Sequence, residues 1–445
     1  MAVIALSPEV LTVLMFVTVL IGVFLGFPIA WTLAGLGIGF GLIGWGDQVF
    51  ALVGSRAYGI MANYTYVAIP LFIFMGAMLE RSGVADVAFA VLNQWLKKVK
   101  GSLAYATILI STLFAACTGV VGASVTTMGM LALPPMHERG YDNKLATGVV
   151  AAGGTLGILI PPSIMLVLLG PMANVSVVDL FAAAIIPGLM LAALYMLYTF
   201  VLIKVKKDVV PQEAIREGEV IYSVWDGIKA FVPFIFLILA VMGAILAGIC
   251  APTEAAGLGA FGAFLIALAY RKINWQVLKE SAISTLKTST MIAFIAIGAN
   301  IFTAVFFGVG CGTVVKQFIA ALGLGPTGTM IIILLIVFLL GMLIDWVGIL
   351  LIVVPIFMPI IADFGMDPLW AVMMIVIILQ SSFLTPPFAY ALFYIKGIAP
   401  KGITITDIYW GVIPFIGLVI LALILCWVFP EIITWLPNFL AQTRG

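Results

Sequence analysis

An apolar run from Ile331 to Ile361 carries a single charge, Asp345, near its middle. A helix crosses a bilayer in about 20 residues, so the run is too long for one crossing and too short for two joined by a turn. Split at Asp345-Trp346-Val347-Gly348, it gives two arms that rise only about 20 Å each at 1.5 Å per residue. The economical reading is a re-entrant hairpin whose non-helical tip lies at membrane depth. Such a tip is tolerated only where it lines a polar site walled by protein. An acid at that depth is costly, which marks Asp345 as a functional-site residue.

Of the 445 residues, 64% are hydrophobic and 9% charged, far more apolar surface than a water-soluble core can hide. The chain reads as a polytopic helical membrane protein. Its net charge of +1 argues against a nucleic-acid partner, whose phosphates call for clustered basic residues. No basic region precedes the first apolar segment and no cleavage site is evident, so that segment is expected to be retained. Cys117, Cys250, Cys311 and Cys426 are isolated, with no metal or redox spacing, and read as small buried apolar residues.

Taken in order, spans are expected at Val10 to Leu25 and Pro28 to Gly44, then a surface segment through Tyr64 and a span from Val67 to just beyond Leu79. Val84 to Lys100 is amphipathic and reads as interfacial. Leu103 to Pro135 is again overlong and is interrupted at Thr118-Gly119-Val120-Val121-Gly122-Ala123-Ser124, the signature of a second hairpin. Lys144 to Met172 is broken by Gly153-Gly154 and by Gly157-Ile158-Leu159-Ile160-Pro161-Pro162, and Val178 to Val205 closes the half. The polar segment Lys206 to Asp226 is the one evident linker.

The second half repeats this plan. Pro28 with Gly35 recurs 224 positions on as Pro252 with Gly259, and Pro161-Pro162 recurs 225 positions on as Pro386-Pro387. Gly76 corresponds to Gly298, Pro135 to Pro359, Gly140 and Asp142 to Gly365 and Asp367, and Pro187 to Pro414. With the N-terminus outside and five crossings per half, every Lys and Arg except Arg56, Lys316 and Arg444 faces the cytoplasm. An odd number of crossings per half makes the repeats inverted, so one hairpin enters from each side and their tips meet near the midplane.

Inverted repeats with broken elements are the architecture of secondary transporters. Half-helix N-termini point positive dipoles at anionic substrates, and freed carbonyls coordinate Na⁺ or H⁺. Around the first tip, Gly122, Ser124, Thr126 and Thr127 can supply oxygens together with carbonyls near Gly154, Gly157 and Pro161. Around the second, Gly341, Asp345 and Gly348 are joined by Ser381, Ser382, Thr385 and Pro386. Hard-cation coordination by oxygen fits both clusters, and the pseudo-symmetry predicts two cation sites, one with a carboxylate and one without.

Blander readings stand beside these. Ser and Thr in membrane helices often hydrogen-bond only to backbone, and Gly and Pro can simply mark kinks. Asp345 can be a buried acid that is paired or neutral. Glu254 reads as a snorkelling or capping group and His137 as solvated, while Asn174 and Asn300 are minor candidates for substrate contact. No P-loop, metal triad or nucleophile-base pair is present, which argues against ATP-driven transport by this chain alone.

The motifs resemble a known family. Gly122-Ala123-Ser124, His137-Glu138-Arg139-Gly140-Tyr141-Asp142, Gly153-Gly154-Thr155-Leu156-Gly157-Ile158-Leu159-Ile160-Pro161-Pro162-Ser163 and Leu180-Phe181 with Ile186-Pro187-Gly188 are similar to the large membrane subunit of tripartite ATP-independent periplasmic (TRAP) transporters, the DctM type. Gly341-Met342-Leu343-Ile344-Asp345-Trp346 and Gln380-Ser381-Ser382-Phe383-Leu384-Thr385-Pro386-Pro387-Phe388 agree, and the resemblance covers nearly the whole chain. It implies an elevator-type fold of about ten spans plus two re-entrant hairpins in the bacterial inner membrane. It also implies Na⁺-driven import of organic acid anions, delivered by a periplasmic binding protein of the DctP type to a complex with a small four-helix subunit of the DctQ type. Where many relatives show Gly-Ser-Ser at the first tip, this chain has Gly122-Ala123-Ser124, which shifts weight to Ser124 and backbone carbonyls.

The expected division is a scaffold at 1–101 and 227–325, transport parts at 102–205 and 326–430, a cytoplasmic linker at 206–226 and a C-terminal tail at 431–445. Na⁺ is expected at Gly122, Ser124, Gly154, Gly157 and Pro161, and at Gly341, Asp345, Gly348, Thr385 and Pro386. The substrate anion is expected between the tips, with Ser124, Thr126, Ser163, Ser382 and Thr385 as candidate contacts and Thr385 as the neighbour of Asp345. Two rival readings stay open: a stand-alone Na⁺/anion symporter of the same architecture, and an intramembrane enzyme using Asp345, which lacks a second acid or a histidine at that depth.

Overall fold

Backbone N–H and C=O groups in a bilayer must be paired within the chain, and long apolar runs therefore become helices. A computed structural model describes residues 6–206, 208–211, 222–387 and 389–444, so most of the expected 206–226 linker, and Phe388 of the second break, lie outside the described residues. The first half comprises α1 (Pro8–Phe24), α2 (Ile29–Trp45), α3 (Val49–Met61), α4 (Ala68–Arg81), α5 (Val84–Trp95), α6 (Ser102–Thr118), α7 (Val121–Glu138), α8 (Asn143–Thr155), α9 (Ile164–Ala173) and α10 (Val177–Val205). The second comprises α11 (Val224–Leu246), α12 (Pro252–Ala269), α13 (Trp275–Gly308), α14 (Cys311–Ala321), α15 (Gly325–Gly341), α16 (Trp346–Asp363), α17 (Pro368–Ser382), α18 (Tyr390–Ile398) and α19 (Ile405–Val428), followed by α20 (Glu431–Arg444). Among the described residues seven helical segments are long and apolar enough to cross a membrane, and Tyr64–Arg81 with Val84–Trp95, bent by 58°, makes an eighth if the pair is one span; shorter apolar helices include α6, α9, α15 and α17 of the hairpins and broken spans.

The repeat landmarks turn out to be helix punctuation. Gly140 (φ +74°) and Gly365 (φ +67°) follow the ends of α7 and α16 in the left-handed conformation that glycine adopts without a Cβ clash. Two residues later, Asp142 accepts the Lys144 N–H (2.7 Å) to start α8, and Asp367 accepts the Leu369 N–H (2.9 Å) to start α17. The Pro161-Pro162 and Pro386-Pro387 pairs, which lack the N–H that a helix needs, separate α8 from α9 and α17 from α18, and both pairs contain a cis bond.

Contacts between the halves come in reciprocal pairs: α2 with α13 and α12 with α4, α8 with α19 and α17 with α10, α7 with α18 and α16 with α9. Reciprocity of this kind is the mark of a two-fold relation between repeats. Each half makes three passes, a hairpin, one broken span and a closing helix. The number of passes is odd, so equivalent elements run in opposite directions and the topology is inverted. One pair of counterparts differs: α13 is an unbroken 34-residue helix, whereas its mate is divided into α3, a 3₁₀ segment Tyr64–Val67 and α4. Asn63, accepting the Thr65 N–H at 3.0 Å, marks the division.

The hairpin arms are longer than the apolar run alone predicts. α15 has 17 residues because it starts at Gly325, and α16 has 18, so each rises about 26 Å. Glu254 is a capping group, accepting the Ala251 N–H at 2.9 Å. His137 is half-buried, with Nδ1 paired to Asn143 Oδ1 at 3.1 Å, and differs from the solvated side chain expected because Asn143 and the Gly402 turn pack over it.

The α8–α19 pair meets backbone to backbone. A Cβ on Gly148 would strike the Gly411 carbonyl, and one on Gly411 would strike the Lys144 carbonyl, while Tyr195 and Tyr198 meet Phe415 edge-on at 5.2 Å beside them. Gly148→Ala is expected to destabilise the protein by about 1–3 kcal/mol through overpacking. Thermal unfolding of purified protein in detergent reads this, with Gly417→Ala, a site in open space on α19, unchanged.

Candidate functional site

Both hairpins turn where the helix cannot continue. At the first, Gly119 (φ +60°) ends α6, Val120 is extended, and α7 begins at Val121, placing Gly122 and Ser124 in the opening turns of α7. At the second, Met342, Leu343 and Ile344 close tight bonds back to Leu339 and Leu340, and extended Asp345 starts α16 by accepting the Val347 N–H at 3.3 Å. Val120 and Asp345 therefore hold the same position in the two repeats.

The tips share one cavity of about 370 Å³. Gly119–Gly122 and Asp345–Val347 form its floor, Ile158, Ile164 and Phe383 of the two breaks its sides, and Tyr390 and Tyr394 of α18 a polar rim. The opposite wall is Pro28–Ala30 at the start of α2 with Thr288 and Ile295 of α13. First-turn residues of α2, α7, α9, α16 and α18 all line this space. The opening turns of a helix carry unpaired N–H groups and a partial positive charge. Five such ends line one cavity, together with the half-buried carboxylate of Asp345.

Around the first tip the structure brings together Ser124, Thr118 and Gly157. Thr118 Oγ1 and Ser124 Oγ lie 2.7 Å apart, both side chains buried, and a Cβ on Gly157 would sit 3.3 Å from Ser124 Oγ. Gly154 presses against the Val125 backbone, where a Cβ would lie 2.9 Å from its Cα, and Pro161 is buried in the break. Ser163, fully buried, donates to the Ile158 carbonyl at 2.5 Å. Thr126 is half-buried on α7, and Thr127 donates to Glu80 Oε1 of α4 at 3.4 Å.

Around the second tip, Gly341 lies against Ser382, so close that a Cβ would occupy the place of Ser382 Oγ. Ser382 Oγ and both amide atoms of Gln380 are buried without a protein partner. Leaving such atoms unpaired costs about 1–3 kcal/mol each. Ser381 and Thr385 are spent on backbone carbonyls, Ile378 at 2.6 Å and Ser381 at 2.7 Å. Thr385 is not among the residues that line the cavity with Asp345, Pro386 is exposed, and Gly348 packs on Ile29 and Ile344.

Sequence reasoning did not single out Thr118, Tyr390, Tyr394 or Gln380 as site residues. The tyrosines have Ile164 and Leu168 as repeat counterparts, so the duplication carried no signal for them. Only the fold brings Tyr394 against Gly122, where a Cβ would meet its hydroxyl at 2.9 Å. Asn174 (φ +54°) ends α9, a helix stop, and Asn300 lines a separate cavity.

Residues 14–432 match the family described as the tripartite ATP-independent periplasmic transporter, DctM component. Among curated relatives, the C4-dicarboxylate TRAP transporter large permease protein DctM of Pseudomonas aeruginosa is 29% identical over 89% of this chain and 91% of its own. The 2,3-diketo-L-gulonate TRAP transporter large permease protein YiaN of Escherichia coli is 28% identical over 95% and 98%. The sialic acid TRAP transporter large permease protein SiaM of Vibrio cholerae is 26% identical over 93% and 96%. Among solved structures, the YdaH transporter of Alcanivorax borkumensis superposes with a TM-score of 0.68 at 15% identity, covering 96% of this chain and 99% of that one, a likeness of fold. Two inverted repeats, paired hairpins and a family match across nearly the whole sequence leave one assignment: this chain is a membrane transporter subunit of the tripartite ATP-independent periplasmic (TRAP) DctM family, and not an enzyme.

Proposed function

We propose that the chain is the transport subunit of a Na⁺-coupled importer of an organic acid anion in the bacterial inner membrane, with its N-terminus periplasmic. It works with a small four-helix subunit of the DctQ type and receives its substrate from a periplasmic binding protein of the DctP type. The observation that carries this is the two-tip cavity, ringed by five helix N-termini and holding one carboxylate. Carboxylates and sulfonates are the substrate class these ends favour, and the names of the relatives fit that class.

Na⁺ is a hard cation that takes oxygen ligands. In the first site Ser124 and the carbonyls around Gly122, Gly154, Gly157 and Pro161 would hold it, and Thr118 joins them. In the second, Asp345 and carbonyls near Gly341, Gly348 and Pro386 would do so, with Thr385 at the break; the unpartnered oxygens of Gln380 and Ser382 strengthen this assignment. Bound cations add positive charge beside the anion and so couple the two. Ser124, Thr126, Ser163, Ser382 and Thr385 remain proposed substrate contacts, to which the cavity adds Tyr390 and Tyr394.

Helices α1–α4 and α11–α13 serve as scaffold, and the hairpins with their broken helices as the moving part that carries the cavity across. In this elevator reading Gly76 is part of the sliding surface: a Cβ there would lie 2.8 Å from the Thr118 carbonyl of the first tip.

The test is uptake into proteoliposomes carrying the chain with its neighbouring small subunit and binding protein, using radiolabelled succinate and isethionate as probes. Asp345→Asn is expected to lower Na⁺-driven uptake at least tenfold, and unaltered uptake would overturn the second site. Ser124→Ala is expected to raise the half-saturating Na⁺ concentration about tenfold, equivalent to about 1.4 kcal/mol. Efficient transport by the purified chain alone would favour the stand-alone symporter instead. Gly341→Ala is expected to abolish uptake while the protein still purifies as a folded species, with partial recovery in Gly341→Ala/Ser382→Gly.

A further inference from the structure

A second polar cavity, about 460 Å³, lies where the C-terminal half of α3 and the division at Asn63 face α13 and the end of α9. Ser55, Arg56, Asn63, Tyr66, Asn300 and Thr303 supply its polar groups, and no acidic residue lines it. Among the described residues Arg56 forms no ion pair. Asn63 spends its Oδ1 on the Thr65 N–H, which leaves its NH₂ group as a donor. A guanidinium, an amide NH₂ and a hydroxyl around one space form a donor set for an oxyanion.

This cavity adjoins a further one that borders the two-tip site. A third, of about 320 Å³, shares Ile60, Asn63 and Tyr66 with it and shares Ile292 with the two-tip cavity. Along α9 the three are lined in turn by Ile164, Leu168 and Pro171, a rise of about 10 Å. The result is a crevice with α3 and α13 on one wall and α9 and α16 on the other. Ser289 Oγ, buried and without a partner, lies at its middle.

We infer that this crevice is an outer access route to the two-tip cavity, and that Arg56 with Asn63, Asn300 and Thr303 forms a docking subsite at its mouth for the carboxylate or sulfonate of the incoming substrate. The inference rests on the transport reading only in taking the Arg56 end as the side from which the anion arrives. Arg56 is then a steering and recognition group. Its positive charge raises the local concentration of anions, which the helix N-termini of the two-tip cavity receive at the far end.

Site-directed labelling tests this without transport. Full-length protein carrying Cys250→Ala, which leaves the buried Cys117, Cys311 and Cys426, is given Thr303→Cys or Ser289→Cys and reconstituted in phosphatidylcholine vesicles. Modification by 2-sulfonatoethyl methanethiosulfonate is compared with that by the trimethylammonium reagent of the same length. The anion-to-cation rate ratio at Thr303→Cys is expected to fall at least about fivefold in Arg56→Gln and to be kept in Arg56→Lys. Both reagents are expected to reach Ser289→Cys. An unchanged ratio in Arg56→Gln overturns the subsite, and no modification at Ser289→Cys overturns the route. If Arg56 and Arg56→Gln differ in phosphatidylcholine but give the same ratio as one another in phosphatidylglycerol-rich vesicles, a lipid phosphate holds the arginine and the substrate assignment fails. Labelling requires neither Na⁺ nor a binding protein, so its failure is separable from a failure of Na⁺-driven uptake.

Discussion

Inside hydrocarbon an unpaired backbone N–H or C=O has no water to turn to, and everything distinctive about this chain follows from breaking its helices there anyway. Two hairpin turns and two proline breaks leave helix ends exposed at membrane depth. One such break would be a defect. Placed around a common cavity, the ends are shielded from lipid by one another, and first-turn residues of five helices line the space they enclose. Close glycine contacts make this convergence possible: Gly157 against Ser124, and Gly341 against Ser382.

The duplication supplies one backbone plan and two chemistries. At the cap position of the second hairpin arm, one repeat has Asp345 and the other Val120. Beside the first tip the hydroxyls of Thr118 and Ser124 pair, whereas beside the second break Gln380 and Ser382 have no protein partner. The two tips therefore differ in charge and in polar side chains, the asymmetry on which the proposal of two unlike cation sites rests.

Much of this was legible in the sequence because it depends on backbone chemistry. Pro161-Pro162, Pro386-Pro387 and the Gly-x-Asp signals at Gly140 and Gly365 act locally, so their spacing revealed the breaks, the hairpins and the inverted repeat. What was not legible depends on pairings between distant elements. Tyr394 reaches Gly122 only because α18 of one repeat packs on α7 of the other. Thr385, adjacent to the second break in sequence, turns to the Ser381 carbonyl, a bond that the helical turn itself supplies. The length of α15 was underread because its first turn, beginning at Gly325, is not apolar.

The division of the α3–α4 segment, set against the unbroken α13, has a consequence for the two faces of the protein. A perfectly duplicated molecule would offer the same vestibule on both sides of the bilayer and would be kinetically symmetric. Here the chain divides at Asn63 in one repeat, while the mate of that segment runs on as one unbroken helix. In the proposed cycle, loading from one side and unloading on the other therefore follow different paths. Such a cycle acquires a preferred direction of capture from the kinetics of its mouth, with no change in its thermodynamics.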